Sequence, residues 1–468
     1  MSGNKYIVQS RYPIFDHRLE QIDDLQDNLG RQAIVRTIVD EIRGINRPRV
    51  IGIYGSWGAG KSYLLSQVIK ELLDRNQANK QQVIACIFNP WLYELEGGLA
   101  SGLIKSLYNL EKQFPGKNPL LSNTEMYKII AESLLELIVE ISPSFVPGAQ
   151  PVAKALSKVA QAAVRQKRAQ GNSDNSAQQK PLIDEFKGRM QGLVNAILDS
   201  AYRQDSAKEY RLVIFIDDLD RCSPENMVQM FEWLKVHLLV EGCTYVIALD
   251  HITAARAIVG RYKEYLGEER DLAYGFRYLE KLIESEYELG IAPNVELMAL
   301  RQIFGINTSY RKVSDLAREL CGSDFPGVRS IDELLRLRSL LTPRTMLKIV
   351  YKFKRAMEVI STIEVLRNQL PASYPFWTLL LIAMYYRLDP DHLDEFVRGR
   401  GIIHDLIKSP GSIPSDKWGN WPLREFCQFA DRFGASTGAG MQLLSPDHLF
   451  RLVSIIRENS FDCNSHVF

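Results

Sequence analysis

Short, nearly unbroken apolar runs alternate with amphipathic stretches through the first 290 residues or so of the chain. Val50, Ile51, Ile53 and Tyr54 read as a buried strand, as do Val83–Phe88, Leu212–Ile216 and Thr244–Leu249. Runs this short, rich in β-branched and aromatic residues, suit strands covered on both faces. Between them apolar residues recur at helical spacing, over about Arg31–Ile45, Tyr63–Ile69, Gly98–Leu110, Pro181–Arg203, Pro224–Leu239 and Thr253–Arg261. Strands alternating with helices predict a parallel sheet covered on both sides, an α/β fold with a three-layer α/β/α core. From Val295 onward strand signals fade and helical periodicity dominates.

The pattern divides the chain. Residues 1–110 and 204–290 form the expected core, with residues 111–203 a mainly helical insertion carrying helices at Met126–Ile141 and Val152–Arg165. Within the insertion Gln166–Lys180, QKRAQGNSDNSAQQK, has no apolar anchors and is expected to be a mobile linker. Residues 291–358 are expected to form a helical lid and residues 359–468 a C-terminal all-α module. Two apolar stretches raise the question of a membrane. Ile129–Val146 contains Glu132, Glu136 and Glu140, which a bilayer core would reject. Tyr374–Tyr386 is 13 residues long, short of the ~20 a span needs, and reads as a buried helix. Trp418 and Trp421 are expected to pack in the core of the same module, with a partner surface as the alternative.

Composition narrows the class. With 46% hydrophobic and 24% charged residues and a net charge of +1 over 468 residues, the chain reads as soluble and globular, in two or three domains. No global charge points to nucleic acid, and no basic run is longer than the one in QKRAQ, so a nucleic-acid partner is unsupported. The Met-Ser-Gly-Asn-Lys start lacks an apolar signal core, which argues for the cytoplasm. Six cysteines without a CxxC pair and seven histidines without HxxxH or HExxH spacing suggest neither a disulfide framework nor a zinc site.

The chemistry concentrates at two strand ends. After the first strand comes Gly55-Ser56-Trp57-Gly58-Ala59-Gly60-Lys61-Ser62, a Gly-x4-Gly-Lys-Ser loop leading through Tyr63 into a helix. Glycines let the loop amides converge on a polyphosphate at the helix start. Lys61 would then reach the β- and γ-phosphates and Ser62 would take one Mg²⁺ position. The bland alternative is an ordinary glycine turn. Leu212-Val-Ile-Phe-Ile-Asp217-Asp218-Leu-Asp220-Arg221 supplies the acidic strand end that a nucleotide site needs. Asp217 would hold the metal and Asp218 would polarise a water; the alternative is a strand that simply ends in an acidic turn. Asp220 and Arg221 read as a local ion pair shaping the loop, or Arg221 as a phosphate contact. Trp91 reads as a packing residue, with a nucleotide contact as the alternative.

GIYGSWGAGKS and VIFIDDLDRC, with Phe88-Asn89-Pro90-Trp91 between them, resemble the KAP P-loop NTPases, relatives of the STAND signalling NTPases. The resemblance extends to Tyr245–Asp250, Tyr278–Ile283 and Leu341-Thr-Pro-Arg344, covering about residues 12–355. Many members carry transmembrane helices between the two motifs, and this chain departs from that pattern. By resemblance, Gly30 and Arg31 help cover the base and ribose, although Arg31 reads equally as a solvated helix start. Asp250 falls where relatives sense the γ-phosphate, a hydrogen-bonding structural role being the alternative. Arg344, oriented by Pro343, matches a lid arginine that contacts the γ-phosphate, the alternative being a surface arginine. Arg277 or Arg221 could serve as an arginine finger in the same or a neighbouring subunit.

The combined reading is a Mg²⁺-dependent ATPase that cleaves the β–γ phosphoanhydride and acts as a conformational or oligomeric switch. Homo-oligomers or effector-protein complexes are the expected partners. Resemblance to soluble bacterial members linked to phage exclusion suggests anti-phage defence. A P-loop kinase and a non-hydrolysing nucleotide-stabilised scaffold are the competing readings.

Overall fold

The structure, a computed structural model, describes residues 29–44, 47–76, 80–94, 98–113, 130–135, 182–203, 205–263, 271–305, 307–321, 328–363, 368, 370–437 and 444–458. The expected linker at 166–180 and helix at Val152–Arg165 lie outside the described residues, as does most of Met126–Ile141, of which 130–135 are helical. The described chain falls into two compact units.

The first unit is built on five parallel strands: β1 Arg49–Tyr54, β2 Gln81–Phe88, β3 Glu209–Ile216, β4 Cys243–Leu249 and β5 Ser285–Glu288. Their order in the sheet is β2-β3-β4-β1-β5. Strand β4 is buried at all seven positions, and β1 at five of six. On one face Ile51, Ile53, Ala85, Phe215 and Val246 pack against helices α1 (Gln32–Gly44) and α2 (Lys61–Arg75). On the other, Val50, Ile84, Ile214 and Ile247 meet α3 (Leu99–Tyr108), α4 (Leu182–Tyr202), α5 (Pro224–Trp233), α6 (His251–Arg261) and α7 (Leu272–Glu280). Alternating side chains of a doubly covered strand serve both faces, so the expected three-layer core is present. Each buried Ile or Leu contributes about 1.5–3 kcal/mol.

Two features depart from the sequence reading. The edge strand β5 carries no apolar run: Ser285 and Tyr287 are half-buried while Glu286 and Glu288 are exposed. The helix expected to run to Leu239 keeps α-geometry only to Trp233 and continues as a wider π-turn over Leu234–Leu238. The opposite edge is closed by side chains. The Asn76 amide donates to Val83 O at 2.8 Å and accepts from Val83 N–H at 2.9 Å. Gln113 does the same for Ile87, at 3.0 and 2.6 Å. These amides occupy positions that another strand would otherwise take.

The second unit takes in residues 290–468 together with 26–30 and 57–60. Its regular elements are helices, α8 Val295–Phe304, α9 Val313–Cys321, α10 Val328–Leu335, α11 Pro343–Thr362, α12 Tyr374–Arg387, α13 Pro390–Val397, α14 Ile402–Lys408, α15 Leu423–Thr437 and α16 Pro446–Glu458. The boundary expected at 358 falls inside α11. The apolar run of α12 is the buried helix anticipated, with Phe376 stacked on Phe433 at 4.6 Å between ring centroids. No described helix is long and apolar enough to cross a membrane. Trp421 is 64% exposed and so is not a core residue; Trp418 is half-buried and donates its ring N–H to Ile413 O at 2.9 Å.

Candidate functional site

The strand order puts three polar loops side by side. The P-loop leaves β1, Asp217 and Asp218 end β3, and Asp250 ends β4, the strand between them. Ligands of open α/β sheets bind at this carboxyl edge.

The P-loop turns through Gly58 at φ +82° and Gly60 at φ +88°, both left-handed, which explains two of the three glycines. Gly55 plays another part: its N–H bonds Leu249 O at 3.2 Å, tying the loop to β4. Ser56 and Trp57 are exposed and Ala59 is buried, while Ser62 and Tyr63 are half-buried in the first turn of α2. Lys61 is buried. Its ammonium donates to Gly55 O at 2.9 Å, lies 3.5 Å from Ser56 O, and pairs with Asp220 Oδ2 at 3.1 Å. The expected Asp220–Arg221 pair is therefore replaced. Asp220 serves Lys61, and Arg221 pairs with Asp218 Oδ1 at 2.8 Å. Lys61 is the more deeply buried of the two cations, so its attraction for a carboxylate is the less screened by water.

Asp217 and Asp218 are both buried but differently engaged. Asp217 Oδ1 accepts the Asp218 N–H at 3.0 Å, while the buried Oδ2 has no hydrogen-bond partner. Burial first, then the Asp218 charge, pushes the Asp217 carboxyl well up; Ser62, the Asp218 N–H and Lys61 act against them. An oxygen so placed suits a cation. Ser62 and Asp217 are oxygen donors of the type Mg²⁺ takes, with phosphate and water completing its shell. Among the described residues no group of three or more His, Cys, Asp or Glu could hold a metal.

Asp218 has φ 60° and ψ 22°, the only non-glycine at positive φ among the described residues. Its backbone carries strain of about 1–2 kcal/mol, a cost found where function dictates side-chain direction. Both oxygens are held: Oδ1 by Arg221, Oδ2 by the Asn89 amide at 3.1 Å. Asn89, read from sequence only as the end of a strand, is thus a site residue. It is buried at the end of β2, where Asp217 N–H bonds Phe88 O at 3.1 Å, and its own Oδ1 has no partner. The available signal was an amide directly after a buried strand that adjoins the acidic one.

Trp91 is 41% exposed, not a packing residue, and the Arg221 guanidinium lies 5.3 Å from its ring centroid. Burial keeps the neighbouring Cys222 thiol high, at about 12, so it is inert. The Asp250 side chain accepts the Ile252 and Thr253 N–H groups at 3.0 and 3.4 Å and thereby caps α6. Arg277 is exposed on α7. Arg31 is 4% exposed at the start of α1, so the solvated alternative does not hold.

In the second unit Gly30 adopts φ +70°, and a Cβ there would sit 3.3 Å from Asn294 Nδ2. In the same unit a Cβ on Gly58 would lie 3.2 Å from Arg344 Cβ. Thr342 caps α11 by accepting the Thr345 N–H at 3.3 Å, and Pro343 occupies the first turn, which fixes the start of the helix carrying Arg344.

A glycine loop feeding a helix from β1, its lysine buried beside an acidic strand end one strand removed, defines a P-loop NTPase. Residues 31–360 match the KAP family P-loop domain, and the chain belongs to that family. It is also similar to the phage T7 exclusion protein of Escherichia coli (strain K12), at 22% identity over 268 residues. That match covers 54% of this chain and 31% of the relative, so the chain spans about a third of the relative's length. Among solved structures, the ORC2 protein of Aeropyrum pernix in its ADPNP-ADP complexes shares 11% identity at TM-score 0.34, covering 93% of this chain and 86% of that one. The Aeropyrum pernix ORC1 protein in complex with DNA shares 14% at TM-score 0.34, covering 98% and 88%. Likenesses at these scores add nothing to the family assignment.

Proposed function

We propose that this chain is a Mg²⁺-dependent ATPase that uses the β–γ cleavage to drive a conformational or oligomeric switch. The observation that carries this reading is a buried P-loop lysine at the same sheet edge as two buried carboxylates of unequal engagement, Asp217 with a free oxygen and Asp218 with none. Loop amides and Lys61 bind the polyphosphate and offset charge on the transferred group. Ser62 and Asp217 would hold Mg²⁺, which supplies further charge neutralisation when bound. Asp218, turned by its left-handed backbone and steadied by Asn89, accepts a hydrogen bond from the attacking water. As the water oxygen bonds to the γ-phosphorus, the bond to the β–γ bridging oxygen breaks, and the water's proton leaves through Asp218 to phosphate or solvent. Arg344 is proposed, from the family resemblance, to add a cation for the γ-phosphate. Gly30 and Arg31 are proposed at the base and ribose, and Asp250 keeps its capping role beside the phosphates.

The name of the phage T7 exclusion protein supports anti-phage defence as the setting; a cytoplasmic location and homo-oligomer or effector-protein partners are proposed with it. The test is release of inorganic phosphate from ATP, with and without Mg²⁺. Retention of uncleaved ATP through prolonged incubation would turn the reading toward a nucleotide-stabilised scaffold, and phosphate delivered to an acceptor would turn it toward a kinase.

A further inference from the structure

The buried ammonium of Lys61 has three donor directions, and all are engaged: Gly55 O at 2.9 Å, Ser56 O at 3.5 Å and Asp220 Oδ2 at 3.1 Å. A phosphate oxygen can reach Lys61 only by displacing one of them. The two carbonyls belong to the loop that must itself wrap the phosphate. Asp220 is the one side chain among the three, and the one that carries a charge. We infer that Asp220 is the resting counter-ion of Lys61 and that its displacement sets how tightly the site takes a polyphosphate.

The geometry makes this exchange feasible. Both side chains of the pair are 8% exposed, so their attraction is little screened and a competing anion must replace it in kind. Asp220 Oδ2 also accepts the Asp250 N–H at 2.9 Å, where α6 begins. When Lys61 turns to phosphate, Asp220 therefore keeps a partner and is not left orphaned. It stays close to the arriving charge, and that repulsion adds to the lost ion pair. Both effects lower affinity for a charged ligand and leave an uncharged nucleoside untouched. The family motif DDLDRC thus holds three acids with three tasks: a metal ligand, a water partner and a counter-ion that keeps the buried lysine neutralised between nucleotides.

This inference rests on the nucleotide reading above, and the test separates the two. ATP, inorganic tripolyphosphate and adenosine are titrated calorimetrically into the wild-type protein, Lys61→Ala and Asp220→Asn. Asparagine keeps the shape of the side chain and an acceptor for the Asp250 N–H, while removing the charge. Binding of ATP and tripolyphosphate should tighten at least about tenfold in Asp220→Asn, adenosine binding should not change, and KM for ATP should fall without a rise in kcat. A merely structural residue would shift all three ligands together or none. Unchanged or weaker tripolyphosphate binding in folded Asp220→Asn overturns the inference, and weakening confined to Mg²⁺-containing buffer does so by making Asp220 a metal-side group. If Asp220→Asn does not fold, Asp220→Ser, which also retains an acceptor, is measured against the same outcomes. Equal ATP binding by wild type and Lys61→Ala would instead overturn the P-loop reading itself.

Discussion

Each unit buries a lysine, and the two lysines are used in opposite ways. Lys352, on α11, is 3% exposed and donates to Ile456 O in the last turn of α16 at 2.6 Å, with the Tyr385 ring centroid 4.9 Å from its ammonium. Burial lowers its pKa. Its partners are a helix-end carbonyl, whose partial negative charge suits a cation, and an aromatic face. Lys61 is held by loop carbonyls and a carboxylate, partners that phosphate oxygens would replace in the proposed reaction. Burial alone therefore does not mark a functional lysine. What marks one is a set of partners that a ligand can supplant, beside polar atoms that still lack a partner, as Asp217 Oδ2 and Asn89 Oδ1 do.

That contrast is broken most directly at Lys61. Lys61→Ala should reduce ATP turnover by about 10³-fold, the scale of losing a fixed cationic donor at the reacting phosphate, and should also lower the unfolding midpoint, because Asp220 loses its buried counter-ion. Phosphate release and a thermal melt on the same preparation decide it. Next comes the division between the acids. Asp218→Asn should still bind ATP yet lose about 10²-fold in turnover, whereas Asp217→Asn should weaken binding only when Mg²⁺ is present. Single-turnover hydrolysis beside ATP affinity with and without Mg²⁺ separates them; full hydrolysis by Asp218→Asn would move the water-partner role to another carboxylate.

Asn89→Ala tests whether the amide positions Asp218. Turnover should fall about tenfold through loss of orientation, with ATP affinity held, and Asn89→Gln should fail to restore it because the longer amide overshoots. The smallest catalytic effect belongs to the other unit. Lys352→Met should leave kcat within about twofold while costing about 1–3 kcal/mol of stability, since Ile456 O loses its buried donor. Chemical denaturation of wild type and variant reads the difference, and a large loss of turnover in a folded Lys352→Met protein would erase the distinction between the two lysines.

Much of the first unit was legible in the chain itself. Four strands and the helices between them follow from apolar runs that must be covered on both faces, and the glycine loop and acidic strand end sit where their motifs put them. The short strand β5 was not legible, because an edge strand of Ser285-Glu-Tyr-Glu288 needs only one apolar neighbour and gets its partner from β1. Nor was Trp91, whose exposed ring pairs with a guanidinium that sequence placed elsewhere.

Residue type and spacing determined which groups this protein brings to the carboxyl edge of its sheet: Lys61, Ser62, Asp217 and Asp218 are adjacent to the strands that deliver them, so local order suffices. Tertiary structure alone decided which charge answers which. Strand β4 between β1 and β3 sets the distance across which Asp220 reaches Lys61, and the neighbouring end of β2 brings Asn89 to Asp218. Those pairings join residues far apart in the chain, and no local pattern encodes them, because a buried charge takes whichever partner the packed sheet leaves within reach.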